Sequence, residues 1–268
     1  MSRLSEAFKP GEAALFPYLT AGFPDLNASG ELVKAMVEAG ADGLEIGVPF
    51  SDPMADGLTL QRANERALAQ GASILTALHL ANWARKASPT AAVTFMSYYN
   101  PILAYGEDAF CQAAAEVGAD AVIVPDLPPE ESYPLRSACQ AASLDYIYML
   151  SPNSTLERIQ LVAELASGFI YCVALVGVTG ARTDLSTDLA AFLGRIRGAT
   201  QVPLVVGFGI SSPEHILALR GQADGVIVAS TLADLIESTP PERRSEAVAS
   251  RIRQLKEATL DGSRKGAR

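Results

Sequence analysis

A chain of 268 residues, 49% hydrophobic and 19% charged, is long enough to bury about three quarters of its unfolded surface without staples. Its net charge of −9, with the basic residues dispersed, argues against nucleic acid or anionic membrane as a partner, and no apolar run reaches the roughly 18 residues of a membrane span. Cys111, Cys139 and Cys172 form no CxxC and the opening residues carry no secretory pattern, so the expectation is reduced core thiols in the cytoplasm.

Along the chain, short runs rich in Val, Ile, Leu and aromatics alternate with Ala-rich amphipathic stretches. Strands are predicted at Ala14–Thr20, Gly43–Ile46, Ala92–Ser97, Ala121–Val124, Tyr146–Leu150, Phe169–Val173, Pro203–Val206 and Gly225–Val228. Helices are predicted between them at Gly30–Glu38, Ile74–Lys86, Asp108–Val117, Glu130–Ala142, Thr155–Leu165, Leu185–Arg197 and Pro213–Arg220, with a last one ending near Ala258. Three similar turns, Gly40–Asp42, Gly118–Asp120 and Gln222–Asp224, lead into the next strand and repeat the joint of a βα unit. No linker, low-complexity tract or charge block divides the chain. Eight βα units without a break predict one (β/α)8 barrel domain over residues 1–268, with about 259–268 a frayed tail. A doubly wound open sheet is the weaker alternative, because no GxGxxG opens a helix after the first strand.

A barrel places its active site at the carboxyl ends of its strands. The most informative of these ends is Leu44–Gln61, LEIGVPFSDPMADGLTLQ, where an apolar strand carries Glu45 and a loop broken by Gly and Pro carries Asp52 and Asp56. An isolated acidic loop is more often a solvated turn. Two acids, Glu45 and Asp56, facing one pocket would instead suit proton transfer, one carboxyl moving a proton and the other steadying charge. Gly180, Gly209 and Ser230, the last opening a helix, suggest a phosphate cradle made by the loops after strands six, seven and eight.

Absences narrow the chemistry. Lys9, Lys34, Lys86, Lys256 and Lys265 all lie at helix or terminal positions, so no Schiff-base lysine is expected. His79 and His215 lack metal-ligand spacing to each other, so no metal is expected. What remains suits cofactor-free proton transfer on a flat apolar substrate bearing a phosphate.

The segments LEIGVPFSDPMADGLTLQ, MSYYNPILAYG, VIVPDLPPEES, ALVGVTGAR and VGFGISSPEHI, opened by ALFPYLTAGFPD, together resemble the tryptophan synthase alpha subunit family in order and over nearly the whole chain. The resemblance implies a barrel with an extra N-terminal helix. It also implies retro-aldol cleavage of indole-3-glycerol phosphate to indole and glyceraldehyde 3-phosphate, a lyase step in tryptophan biosynthesis. By it, Glu45 is the acid–base residue and Asp56 faces the indole nitrogen. Tyr18, Met96, Ile123, Met149 and Phe208 would wall the indole slot. Tyr171 would position Glu45 or the glycerol chain, or be a core aromatic, and Gly180, Gly209, Ala229 and Ser230 would hold the phosphate. Pro49, Asp52 and Asn100 match positions near a beta partner, with which the family forms an α2β2 heterotetramer. No cofactor is implied here, pyridoxal phosphate being expected only in the beta subunit. The sequence departs from the pattern at Leu58 (commonly proline), Ala174 (often serine) and Ala229 (usually glycine). Leu58 is expected to loosen the loop, and Ala229 to obstruct the phosphate only if its φ must be positive. A free-standing lyase without a beta partner, or a barrel kept mainly as an allosteric activator, are the competing readings.

Overall fold

The structure is a computed structural model and describes residues 2–173, 187–207 and 209–260. Eight parallel strands close into a barrel in chain order: β1 (Ala14–Thr20), β2 (Gly43–Gly47), β3 (Ala92–Met96), β4 (Ala121–Ile123), β5 (Asp145–Leu150), β6 (Ile170–Val173), β7 (Leu204–Gly207) and β8 (Gly225–Val228). The helices are α1 (Arg3–Ala7), α2 (Leu26–Glu38), α3 (Leu58–Ala69), α4 (Ile74–Ala87), α5 (Tyr99–Tyr105), α6 (Glu107–Glu116), α7 (Tyr133–Ala141), α8 (Leu156–Leu165), α9 (Thr187–Arg197), α10 (Pro213–Ala218), α11 (Ser230–Ser238) and α12 (Arg244–Thr259). Each strand is followed by at least one helix, so the predicted TIM barrel stands, with α1 as the extra N-terminal helix.

Register decides what fills the barrel, because directly paired residues of parallel neighbours share a face. The pairs Tyr18↔Glu45, Glu45↔Thr94, Met96↔Ile123, Ile123↔Ile147 and Met149↔Tyr171 run round one face, and Phe16↔Ile227 lies on it too. Since Tyr18, Glu45 and Tyr171 all line the central cavity, this is the interior face. At the amino end α1 and the segment after it stop the barrel: Leu4 is fully buried, and the Phe8, Phe16 and Phe169 rings lie 5.7–6.2 Å apart. Such aromatic burial is worth several kcal/mol in water exclusion alone.

The repeated aspartate turns have a physical reason. Asp42, Asp120 and Asp224 each accept, through Oδ2, an amide from the first two residues of a strand next door: Leu15 at 2.9 Å, Val93 at 2.8 Å and Leu204 at 2.7 Å. Each returns its own amide to that same residue's carbonyl, at 3.1, 2.7 and 2.8 Å. Each carboxylate also meets a cation: Lys256 on Asp42, Arg3 and Arg85 on Asp120, Arg197 on Asp224. Side-chain bonds thus extend the ladder at strand starts, where backbone partners run out.

Several expectations need correcting. Leu58–Ala69 and Tyr99–Tyr105 form helices that are absent from the predicted set. α2 begins at Leu26, four residues before the expected Gly30, because Asp25 accepts the Ala28 amide at 2.8 Å and caps it there. Gly30 is mid-helix, and a Cβ on it would lie 1.7 Å from the Trp83 ring of α4. α7 starts three residues late, after turns at Pro128 and Pro129 that take the Glu131 and Ser132 amides. The cysteines, distant in sequence, are all buried and without disulfides, with Cys111 and Cys139 Sγ atoms 3.5 Å apart.

Candidate active site

Glu45 is the third of five residues in β2, so it sits inside the strand and projects into the barrel, where it is 2% exposed. Asp56 comes from the loop between β2 and α3 and is also buried. Both line one cavity of about 110 Å³ with Tyr18, Gly57, Leu60, Met96, Tyr171, Gly209, Ile210, Ile227, Ala229 and Ser230. Larger hollows of about 640 Å³ and 670 Å³ lie at the amino ends of β1, β7 and β8 and beside Trp83. Neither holds these buried acids, and the smaller cavity is the candidate site.

Each acid keeps one oxygen, Glu45 Oε2 and Asp56 Oδ1, that is buried without a partner. In a folded chain such atoms are few and costly, and at a cavity wall they mark where a ligand bonds. The two acids differ. Burial first, and then the Asp56 charge, push the Glu45 carboxyl from the ordinary 4.5 up to about 8. Burial raises Asp56 from 3.8 to about 6, while the Asn64 hydrogen bond opposes the rise. At neutral pH one is therefore mainly an acid and the other mainly an anion. Tyr18 and Tyr171 stay neutral phenols, because burial and the nearby carboxylates raise both.

Two glycines make room for those phenols. A Cβ on Gly47 would lie 2.0 Å from the Tyr18 hydroxyl, and one on Gly207 would lie 2.1 Å from the Tyr171 hydroxyl. Opposite the acids, Gly209 has φ +80°, a conformation that favours glycine. Ser230 is the first residue of the nine-residue α11, whose opening amides have no partner within the helix. Ala229 has φ −120°, outside the positive-φ region in which its methyl was expected to obstruct a phosphate. Leu58 is the first residue of α3, a position where proline and leucine both fit, and it projects outward, 75% exposed.

The structure gathers Glu45, Asp56, Tyr18, Met96, Tyr171, Gly209, Ala229 and Ser230 in one place. Ile123 and Met149 share the interior face but do not line this cavity; Ile123 is fully buried as filling. Phe208, Gly180 and Ala174 lie outside the described residues. Pro49 is buried at the start of the loop after β2, whereas Asp52 and Asn100 are exposed. His79 is exposed on α4, and His215 binds the Ser211 amide at 3.3 Å, holding the Gly209–Ser211 turn. Sequence reasoning gave no role to Leu60, Ile210, Ile227, Tyr98 or Asn64. The signal for Asn64 was a polar residue on the apolar stripe of a helix not foreseen, between Leu60 and Ala67.

Known proteins agree on one family. Residues 4–260 match the family model described as tryptophan synthase alpha chain. The tryptophan synthase alpha chain of Roseiflexus sp. (strain RS-1) is 50% identical over 245 residues, 90% of this chain and 94% of that protein. That of Geobacter sp. (strain M21) is 45% identical over 268 residues, 98% of this chain and all of that protein. Among solved structures, tryptophan synthase subunit alpha from Legionella pneumophila str. Paris superimposes with a TM-score of 0.87 at 35% identity, covering 97% of this chain and 98% of that one. A chain of Mycobacterium tuberculosis tryptophan synthase gives 0.89 at 35% identity, covering 97% and 99%. With a match over nearly its whole length and an intact pair of buried acids, the chain belongs to the tryptophan synthase alpha chain family.

Proposed function

We propose that this chain cleaves indole-3-glycerol phosphate to indole and glyceraldehyde 3-phosphate, with Glu45 and Asp56 as the catalytic pair. The observation that carries the reading is the pair itself: two buried carboxyls in one cavity, one unpartnered oxygen on each, their proton affinities separated. Indole leaves poorly as a carbanion. Protonated Glu45 gives its proton to indole C3, which turns the ring into an electron-accepting indolenine. Asp56, an anion, accepts the indole N–H and stabilises the positive charge so created. Glu45, now a carboxylate, takes the proton of the hydroxyl on the carbon attached to C3. That carbon becomes the aldehyde as the C–C bond breaks, and its electrons return to the ring. The substrate divides into two products, and no water or cofactor is consumed.

Tyr18, Met96, Leu60 and Ile227 would flank the flat ring, and the Gly209 turn with the α11 amino end would take the phosphate. A beta subunit is the partner that fits the rim. Met54, Leu58 and Leu103, apolar and exposed, rise around Asp52 and Asn100 on the loops and helices after β2 and β3. Pyridoxal phosphate chemistry would belong to that partner. The test incubates the chain with indole-3-glycerol phosphate and quantifies both products. Equimolar indole and glyceraldehyde 3-phosphate, lost in Asp56→Asn, is the expected result, and indole release unaltered by Asp56→Asn would overturn the assignment.

A further inference from the structure

Asn64 lies mid-way along the buried stripe of α3, 2% exposed, with Leu60, Ala63 and Ala67. An amide there is costly unless every group finds a partner. Its Nδ2 donates to Asp56 Oδ2 at 3.1 Å and to the Leu60 carbonyl at 2.9 Å, while its Oδ1 accepts the Phe50 amide at 3.1 Å. Turned over, the amide would set its oxygen against two acceptors, so the three bonds fix one orientation. Phe50 and Asp56 are at opposite ends of the loop that leaves β2. Between them, the Ala55 amide donates to the Tyr98 hydroxyl at 2.8 Å, and the Phe50 ring stacks on Tyr98 at 5.3 Å.

We propose that Asn64 is the positioning residue of this site, tying both limbs of the Phe50–Asp56 loop to α3 and aiming the bare Oδ1 of Asp56 into the cavity. The inference rests on Asp56 being the indole N–H acceptor and adds what holds it there. Asp56 is faced by Glu45 from β2, Tyr18 from β1, Tyr98 after β3 and Tyr171 from β6, all acids or phenols whose charged forms repel its own. Against them, the Asn64 amide donates to the carboxylate and favours its ionised form. Losing this bond to a charged group is expected to lower activity about tenfold or more.

The test uses the full chain with a cognate beta subunit and compares Asn64→Ala and Asn64→Asp with the natural sequence. Two readouts are taken: the pH profile of kcat/KM and the titration of Asp56 followed by carbon-13 NMR. In Asn64→Ala, kcat/KM falls near neutral pH, and both the acid limb and the Asp56 titration move upward together. Asn64→Asp moves both further, because a second carboxyl replaces the donor. If the alanine variant does not fold, Asn64→Ser, which keeps a small polar group on the stripe, carries the same measurement with a smaller shift. A profile scaled down at every pH, with the Asp56 titration unmoved, would mean a merely structural asparagine and overturn the proposal. A moved titration beneath an unmoved acid limb would uphold the positioning role and instead reject Asp56 as the catalytic anion.

Discussion

At the scale of single residues, the proposed division of labour between Glu45 and Asp56 rests on where each is buried. The raised values of about 8 and about 6 predict a bell-shaped kcat/KM profile, with its acid limb near 6 and its alkaline limb near 8, measured in the absence of saturating product. Ionising a buried acid also costs stability. The folded chain holds the Glu45 proton up to about 8, whereas the unfolded chain releases it near 4.5. This group therefore favours the fold fully below the unfolded value, and its contribution is lost as pH rises through the folded one. Glu45→Gln should consequently raise stability by a few kcal/mol at pH 9 and by much less at pH 5, read by urea denaturation. Equal effects at the two pH values would contradict the buried-acid account. Both acids were legible in the sequence, because one stood on an apolar strand and the other in a loop too broken to be anything else. Asn64 and Tyr98 were not, since their importance lies in what they bind across a turn.

Elements were legible to different degrees for physical reasons. All eight strands stand near their expected positions, because buried parallel strands are dense apolar runs. α3 was missed because its sequence, LTLQRANERALA, follows directly on the Gly- and Pro-rich loop and is polar on its outer side. Gly30 misled in the opposite way: it looked like a boundary and is a seat for Trp83. The aspartate joints showed in the sequence as a repeat, but their bonding did not. Asp120 is 5% exposed at its side chain and Asp224 40%, so the two test the joint by burial. Asp120→Ala should cost about 3–5 kcal/mol by removing the buried carboxylate that pairs with Arg3 and Arg85 and accepts the Val93 amide, and Asp224→Ala clearly less, in chemical denaturation. At the other end of the barrel, Gly209→Val puts a β-branched residue where φ is +80°. It should raise KM strongly while the far-side acids keep their titrations, measured from substrate saturation curves.

For the molecule as a whole, the closed barrel supplies the frame and its mouth holds the proposed site. Met54 in the Phe50–Asp56 loop, with Leu58 and Leu103 on the helices after β2 and β3, is exposed at the mouth among the polar Asp52 and Asn100, and the same loop brings Asp56 into the cavity. A partner seated on Met54, Leu58 and Leu103 would bias the loop that carries Asp56, and by reciprocity substrate would tighten the complex. Stimulation by a cognate beta subunit is therefore expected, reduced more than the basal rate by Asn100→Ala. The most direct measurement is the initial rate of glyceraldehyde 3-phosphate release from saturating indole-3-glycerol phosphate, in the presence of that subunit, for the natural chain and for Glu45→Gln. The account predicts a rate about 10²–10⁴-fold lower in the variant, with substrate still bound. No release by the natural chain, or a variant within tenfold of it, would contradict the claim that Glu45 moves the proton.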